Sequence, residues 1–429
     1  MKNILFLMAD EFRHDIAGFA GNPVARTPHL DRLAANAMRF DRAYTPSPVC
    51  VPARQCMATG RYPQRAGCTQ FLSDIPPESP TFARWFADQG YYTVACGKLH
   101  HRGQDQMQGW MHRIGSETAV RWPEAYAERN QIGRRKWQGA EDLRRAGPGV
   151  SPLGIHDDYT VQGACDFIRI HFGGMYDLPP ETPLLMMVSL QQPHFPLLAD
   201  RELYDYYHDR VPVFVDQPRP DLHALNVGRI GEDDGVGKED IRRATAAYYA
   251  MVEKTDQRLG RVIRALEEAG QDLDDWIVVF ASDHGDMLGQ HGLWEKRKFY
   301  DGSARIPLFL RARSLEAGVN STPANLVDIF PTLCGLAGLP LPAGVDGHDL
   351  LGNPPKVTFS QYQADKFMVC DGRWKYMAFP EGEEALFDLS GDPEEAVNLR
   401  HSATHAARQE EMRQLLGDFR ASQQIDRLA

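Results

Sequence analysis

Four apolar runs, each ending abruptly in residues able to do chemistry, constrain the fold of this chain more than any other feature. Residues 4–8 lead into Asp10-Glu11 and residues 92–95 into Gly97-Lys98-Leu99-His100-His101. Residues 184–190 lead into Gln191-Gln192-Pro193-His194, and residues 276–280 into Ser282-Asp283-His284-Gly285-Asp286. Apolar runs without polar alternation, separated by helical stretches, mark parallel strands covered on both faces. Sites in such sheets form at the carboxyl ends of the strands. The four polar clusters are therefore expected to meet on one edge. The expected fold is α/β, with a large mostly parallel or mixed sheet sandwiched by helices over residues 1–351. After Leu351 the chain is broken by Pro354-Pro355, and short β-like runs follow at 357–361, 367–370, 374–379 and 385–388. Asp371-Gly372 suits a hairpin turn between two of them. Residues 352–429 read as a small C-terminal antiparallel α+β subdomain closed by the last helix.

Helices are expected at 27–39, 52–59, 80–89, 239–269 and 402–423, the long one carrying apolar residues on a period near 3.6. Two stretches read as long loops or insertions, 102–154 and 200–238, and loops of that length in a compact enzyme shape the substrate pocket. The first includes the basic run Arg134-Arg135-Lys136-Trp137. That run is either a solvated face or a grip on a sulfated polysaccharide.

A formal net charge of -11 over 429 residues argues against general nucleic-acid binding and against docking on an anionic membrane. It leaves an anionic small substrate open, because a few local cations and a metal outweigh the global sign. The seven cysteines are odd in number and lack zinc-type spacing. The N-terminus reads as a buried strand rather than a signal peptide, and no run is long and apolar enough to span a bilayer. A cytoplasmic protein with reduced thiols is the expectation.

Asp10, Glu11, Asp283 and His284 are hard or borderline ligands at the ends of two strands. They suit a divalent cation, Ca²⁺ first, with Mg²⁺ or Mn²⁺ next. Taken alone, Asp10-Glu11 equally suits a helix cap or a solvated turn. In Cys50-Val51-Pro52-Ala53-Arg54 the proline fits a helix start. Cys50 is then placed just before the helix N-terminus, where backbone N–H groups favour an anion, with Arg54 one turn further on the same side. A buried structural cysteine and a low-pKa thiol are the other readings of Cys50.

The Cys50-x-Pro52-x-Arg54 motif, followed by Thr59-Gly60-Arg61-Tyr62-Pro63, resembles the activation motif of the sulfatase family of the alkaline phosphatase superfamily. The similarity runs nearly the whole length, through Thr27-Pro28-His29-Leu30-Asp31, Gly97-Lys98-Leu99-His100, Pro193-His194, Ser282-Asp283-His284-Gly285-Asp286, His291-Gly292-Leu293-Trp294-Glu295-Lys296 and Leu386-Phe387-Asp388-Leu389. It is nearest in motif to choline sulfatase-like members. The resemblance implies that a formylglycine-generating enzyme oxidises Cys50 to formylglycine. It also implies that Asp10, Asp283 and His284 bind the metal with residue 50, and that Glu11 stands where many members carry Asp. Arg54 would orient the formylglycine hydrate, and Lys98 and Lys296 would hold the sulfate oxygens. His194, with Lys296, would serve the leaving group, and His100 would act as base. Lys298 reads as a solvated cation. The implied reaction is hydrolysis of a small-molecule or saccharide sulfate ester to alcohol and inorganic sulfate. A phosphonate monoester or phosphodiester hydrolase using the same site is the alternative, and Ala53 in place of the usual serine fits that branch too. A non-catalytic binding protein with a degraded site is the reading from another class. A homo-oligomer is expected only from the general frequency of symmetric assemblies.

Overall fold

The computed structural model describes the chain except residues 72, 104, 116, 118–138, 176–177, 180, 218–219 and 424–429, so the basic run at 134–137 lies outside the described residues. The four apolar runs are the centre of an eight-stranded sheet. Its strands, in chain order, are β1 (Ile4–Asp10), β2 (Met38–Phe40), β3 (Tyr92–Gly97), β4 (His112–Ile114), β5 (Leu184–Pro193), β6 (Ile277–Ser282), β7 (Leu308–Arg311) and β8 (Gly318–Asn320). The spatial order is β8-β2-β7-β6-β1-β5-β3-β4. The block from β6 to β4 is parallel throughout, while β7 runs antiparallel to both β6 and β2.

Residues of β1 alternate between two cores, as strand geometry requires. Leu5, Leu7 and Ala9 face one layer with α4 (Pro152–Phe172) and α6 (Lys238–Glu268). Ile4, Phe6 and Met8 face the other, with α2 (Cys50–Thr59), α3 (Phe82–Asp88) and α7 (Ile329–Ala337). Both faces are apolar because both are covered, which is why the runs lack polar alternation. At the functional edge the β1–β5 register slips between Ala9 and Asp10, so that Asp10 pairs with Pro193. Such an irregularity re-aims side chains at a strand end.

Several expectations are corrected. The helix expected at 27–39 is α1 (Pro28–Ala34) and stops early, because Met38-Arg39-Phe40 pairs with β7 and its backbone groups are satisfied there. Cys50 is not ahead of the helix: α2 begins at Cys50 itself, with Val49 as the extended N-cap. Pro52 still lies in the first turn, where its missing N–H costs nothing. Helix α2 stops as expected at Gly60, which takes a φ of +64°. The supposed loops contain structure. The first holds β4 and a short helix, and the second holds α5 (Arg201–His208). The 21-residue helix α4 was not anticipated.

The C-terminal runs form a separate four-stranded antiparallel sheet, β9 (Thr358–Tyr362), β10 (Lys366–Cys370), β11 (Trp374–Ala378) and β12 (Glu384–Asp388), in that spatial order. Helix α8 (Ala406–Ser422) packs Met412, Leu416 and Phe419 onto it. Gly372, at φ +93°, makes the β10–β11 turn, where the Asp371 carboxylate accepts from the N–H groups of Arg373 and Trp374. No described helix is long and apolar enough to cross a membrane.

Asp157 on α4 fixes the end of β5. Its two carboxylate oxygens accept from the backbone N–H groups of Gln191 (2.8 Å) and Gln192 (2.9 Å), all buried. Asp157→Ala strands both donors and is expected to lower unfolding stability by about 2–4 kcal/mol. The measurement is the denaturant midpoint at constant m-value, and a loss under about 1 kcal/mol would show that other acceptors replace the carboxylate.

Candidate active site

The four strand ends meet. Asp10 ends β1, Lys98 follows β3, His194 follows β5, and Asp283-His284 follows β6. Helix α2 brings Cys50 and Arg54 to the same edge. Ligand atoms of Asp10, Cys50 and His284 lie within 4.8 Å of one another, all buried. The His284 Nδ1–H donates to the Gly285 carbonyl (2.9 Å), which leaves the Nε2 lone pair facing Asp10 Oδ1 at 3.6 Å and Asp283 Oδ1 at 3.8 Å. A ring held through one nitrogen with the other pointing into an acidic site is the arrangement of a metal-binding histidine. Asp10 Oδ1, Glu11 Oε1 and His284 Nε2 are buried with no hydrogen-bond partner among the described residues. Buried ligand atoms of that kind call for a partner.

Arg54 is the hub. Its Nε donates to Asp283 Oδ2 (2.6 Å), and its NH1 donates to the Lys98 carbonyl (2.8 Å) and to Ser189 Oγ (2.7 Å). Asp283 Oδ1 in turn accepts from the N–H groups of Glu11 and His284, both at 3.0 Å. Glu11, at φ +66°, directs its Oε2 to Lys296 Nζ (2.9 Å) and lies 3.5 Å from His194 Nε2. Lys296 Nζ also donates to His194 Nε2 (2.7 Å), while His194 Nδ1–H donates to the Phe195 carbonyl (2.8 Å). Lys98 is ion-paired with Asp10.

The electrostatics follow from burial. Burial raises the Asp10 carboxyl, but Lys98, Lys296 and Arg54 outweigh it and hold the group below the usual carboxylate range. Burial disfavours the charge on Lys296, yet Glu11 and Asp10 keep it firmly protonated. The Cys50 thiol is pushed above its ordinary value by burial, which Lys98 and Lys296 offset only in part. An unmodified Cys50 is thus held as a neutral thiol, the opposite of what thiolate catalysis requires. His194 is the opening of the site, with a side chain 16% exposed against 5% or less for Arg54, Lys98, His100 and Lys296.

His100 follows Lys98 on the same turn, buried and with its ring edge against Phe71. Trp110 and Trp294 are core residues. Lys298 is not a solvated cation: it is half-buried, and its Nζ holds the Val227 carbonyl at 2.5 Å. Two residues of the site escaped the sequence reading. Ser189 is the one polar residue inside the run 184–190, and that interruption was its signal. Glu117 accepts from the N–H groups of Leu99 (2.8 Å) and His100 (2.9 Å), and no local pattern marks it.

A mostly parallel sheet covered on both faces, with a buried acid and histidine at its strand ends and a cysteine brought there by α2, has the alkaline phosphatase-like α/β architecture. Comparison with known proteins narrows this. The Sulfatase family profile matches residues 2–339, and that of the N-sulphoglucosamine sulphohydrolase C-terminal region matches 289–422. A choline-sulfatase of Rhizobium meliloti is 30% identical, over 92% of this chain and 82% of its own length. An arylsulfatase of Clostridium perfringens is 28% identical, over 96% and 93%. Among solved structures, the phosphonate monoester hydrolase of Agrobacterium radiobacter superposes with a TM-score of 0.79 at 23% identity, covering 99% of this chain and 96% of that one. BT4656, solved in complex with D-glucosamine-2-N,6-O-disulfate, gives 0.78 at 21%, covering 100% and 99%. The chain belongs to the sulfatase family and is a sulfuric ester hydrolase.

Arg54→Met would leave Asp283 charged and buried without its cation. The expected loss is about 3–5 kcal/mol of unfolding stability. A denaturation midpoint equal to that of the unaltered protein would show that Asp283 has another counter-charge.

Proposed function

We propose that the protein hydrolyses its sulfate ester through a formylglycine hydrate made from Cys50, with a divalent cation held by Asp10, Glu11, Asp283, His284 and residue 50. The observation that carries this reading is the buried cluster of Asp10, Cys50 and His284, in which Asp10 Oδ1 and His284 Nε2 lack partners among the described residues. Carboxylates and an imidazole without a thiolate cluster suit Ca²⁺, with Mg²⁺ or Mn²⁺ next. A cation held there would supply Lewis-acid charge to the sulfate ester, and the modified residue 50 would supply the nucleophilic hydroxyl.

The remaining work falls to side chains. Counted as ionised, three buried acids (Asp10, Glu11, Asp283) and three buried bases (Arg54, Lys98, Lys296) cancel, although burial pushes the Glu11 carboxyl well above its usual range. A divalent cation would leave the pocket with two positive charges, which favours an anionic sulfate ester despite the acidic surface. Arg54 orients residue 50, and Lys98 and Lys296 bind the sulfate oxygens. His194, at the mouth, serves the departing alcohol oxygen together with Lys296: a proton passes from the ammonium to Nε2, which accepts from it, and from there to the leaving oxygen. His100 accepts a proton from residue 50 as sulfate leaves. On this reading residues 1–351 carry catalysis and 352–429 form a supporting subdomain. A formylglycine-generating enzyme matures Cys50. A cytoplasmic location fits seven cysteines that are all unpaired. The substrate is a small-molecule or saccharide sulfate ester, since relatives named for choline, ulvan and aryl substrates share the sulfate and not the alcohol.

Co-expression with a formylglycine-generating enzyme is expected to make the Cys50 peptide about 18 Da lighter, the difference between CH₂SH and CHO, or to yield its hydrate. An unmodified thiol under those conditions would sink the mechanism. Chelation should abolish turnover of an aryl sulfate, and Ca²⁺ should restore it; full activity after exhaustive chelation would remove the metal from the reading. An aryl phosphonate is expected to turn over more slowly than the aryl sulfate, and the reverse order would favour the phosphonate hydrolase alternative.

A further inference from the structure

Glu117 is a buried carboxylate that the reaction above does not use. Its Oε1 is saturated by three donors, the N–H groups of Leu99 (2.8 Å) and His100 (2.9 Å) and the Arg113 NH2 (3.0 Å). Its Oε2 has no hydrogen-bond partner among the described residues, and neither ring nitrogen of His100 has one. The two deficits face each other: His100 Nδ1 lies 3.6 Å from Glu117 Oε2, at the outer edge of hydrogen-bond contact, with both side chains 5% exposed or less. Unpaired buried polar atoms are costly. A contraction of about half an ångström would satisfy both at once.

We propose that Glu117 is a positioning residue for His100, holding the Nδ1–H tautomer and offsetting the positive charge that the ring acquires when Nε2 takes a proton. The inference rests on the assignment of His100 as the base. The pairing follows the logic of a carboxylate behind a catalytic imidazole: the carboxylate stays ionised, fixes which nitrogen carries the lone pair, and stabilises the imidazolium. Glu117 suits the role because, against burial that would raise it, His100 itself and then Arg113 and the Leu99 N–H hold its carboxyl below the usual range. Its hold on the Leu99 and His100 amides also fixes the turn, with His100 at φ +60°, so that the ring and its partner move as one unit. The other charged or titratable groups facing His100 are Lys98, Arg54 and His101. Lys98 and Arg54 disfavour the imidazolium, and burial does so most strongly, which holds the ring at about 4 and therefore neutral at pH 7. Glu117 is the anion that acts on the ring against these cations. Without it, a ring surrounded by two cations is a weaker base.

The test is Glu117→Gln in the full-length, matured enzyme. Glutamine keeps an Oε1 acceptor for the three donors and replaces Oε2 with an NH₂ group that cannot accept from Nδ1–H. The expected result is a kcat lower by about 10- to 100-fold with KM nearly unchanged, and an acid limb of the kcat–pH profile moved to lower pH by about one unit. The sign follows from removal of an anion that stabilises the protonated ring. A purely structural role would lower the denaturation midpoint and leave the acid limb in place. That outcome, or a wild-type kcat, would overturn the proposal. Glu117→Asp, which keeps the charge, should recover most of the limb position. His100→Ala separates the two readings. Wild-type turnover in that variant would sink His100 as base. A crippled His100→Ala beside a wild-type profile in Glu117→Gln would sink the role of Glu117 alone.

Discussion

The buried ion pair between Arg54 and Asp283 is the contact on which the rest of the site depends. Arg54 reaches from α2 to the carboxylate after β6, to the carbonyl of Lys98 after β3, and to Ser189 in β5. Asp283 passes the link on to the Glu11 N–H after β1. One guanidinium thus ties together the ends of four parallel strands. Neither partner is stable there alone, because a solitary buried charge carries a desolvation cost that exceeds any single contact. Planar, fixed donors suit the job better than a lysine would, since three acceptors in different directions must be met at once.

The same reasoning explains why the pocket is so heavily charged. Three acids and three bases in a nearly dry space are tolerable only as a network. Among the described residues the network leaves atoms of Asp10 and His284 without a hydrogen-bond partner. A site of this kind is incompletely balanced as polypeptide, and binding of a cation is coupled to its stability as well as its chemistry. It also shows why the global net charge left an anionic substrate open: the reacting volume is set by fewer than ten buried groups.

The strand ends were legible in the sequence because two independent signals coincide there, an apolar run without alternation and an abrupt polar stop. Asp10, Lys98, His194 and Asp283 were found this way. What was missed lacks a local signature. Glu117 acts across space on His100 from a stretch without periodicity, and Ser189 is visible only as a break in an apolar run. The helix at 27–39 was overextended because apolar residues continue through Met38 and Phe40, and only pairing with β7 decides that these are strand. Helix α4 did carry a start signal, Ser151 followed by Pro152 at the first helical position. Its apolar face, Val161, Ala164, Phe167 and Ile168, is interpretable only once β5 and α6 supply the surfaces it covers.

The C-terminal sheet has a physical reason to be attached where it is. Lys375 on β11 is fully buried, and its Nζ reaches Asp301, Glu395 Oε1 (2.8 Å) and the Phe299 carbonyl (3.1 Å). Asp301 is further held by the Tyr44 hydroxyl (2.9 Å). These contacts fix the segment that follows Lys296, and the Arg297 N–H donates to the Pro48 carbonyl (3.0 Å), two residues before Cys50. The segment is therefore pinned at one end by the nucleophile loop and at the other by a cation from the small sheet. An ammonium buried this completely adds little net stability over an apolar replacement, but it admits only one arrangement of its acceptors. Its value lies in geometry: it pins the four residues between Lys296 and Asp301, and so holds the Lys296 ammonium against both Glu11 and His194.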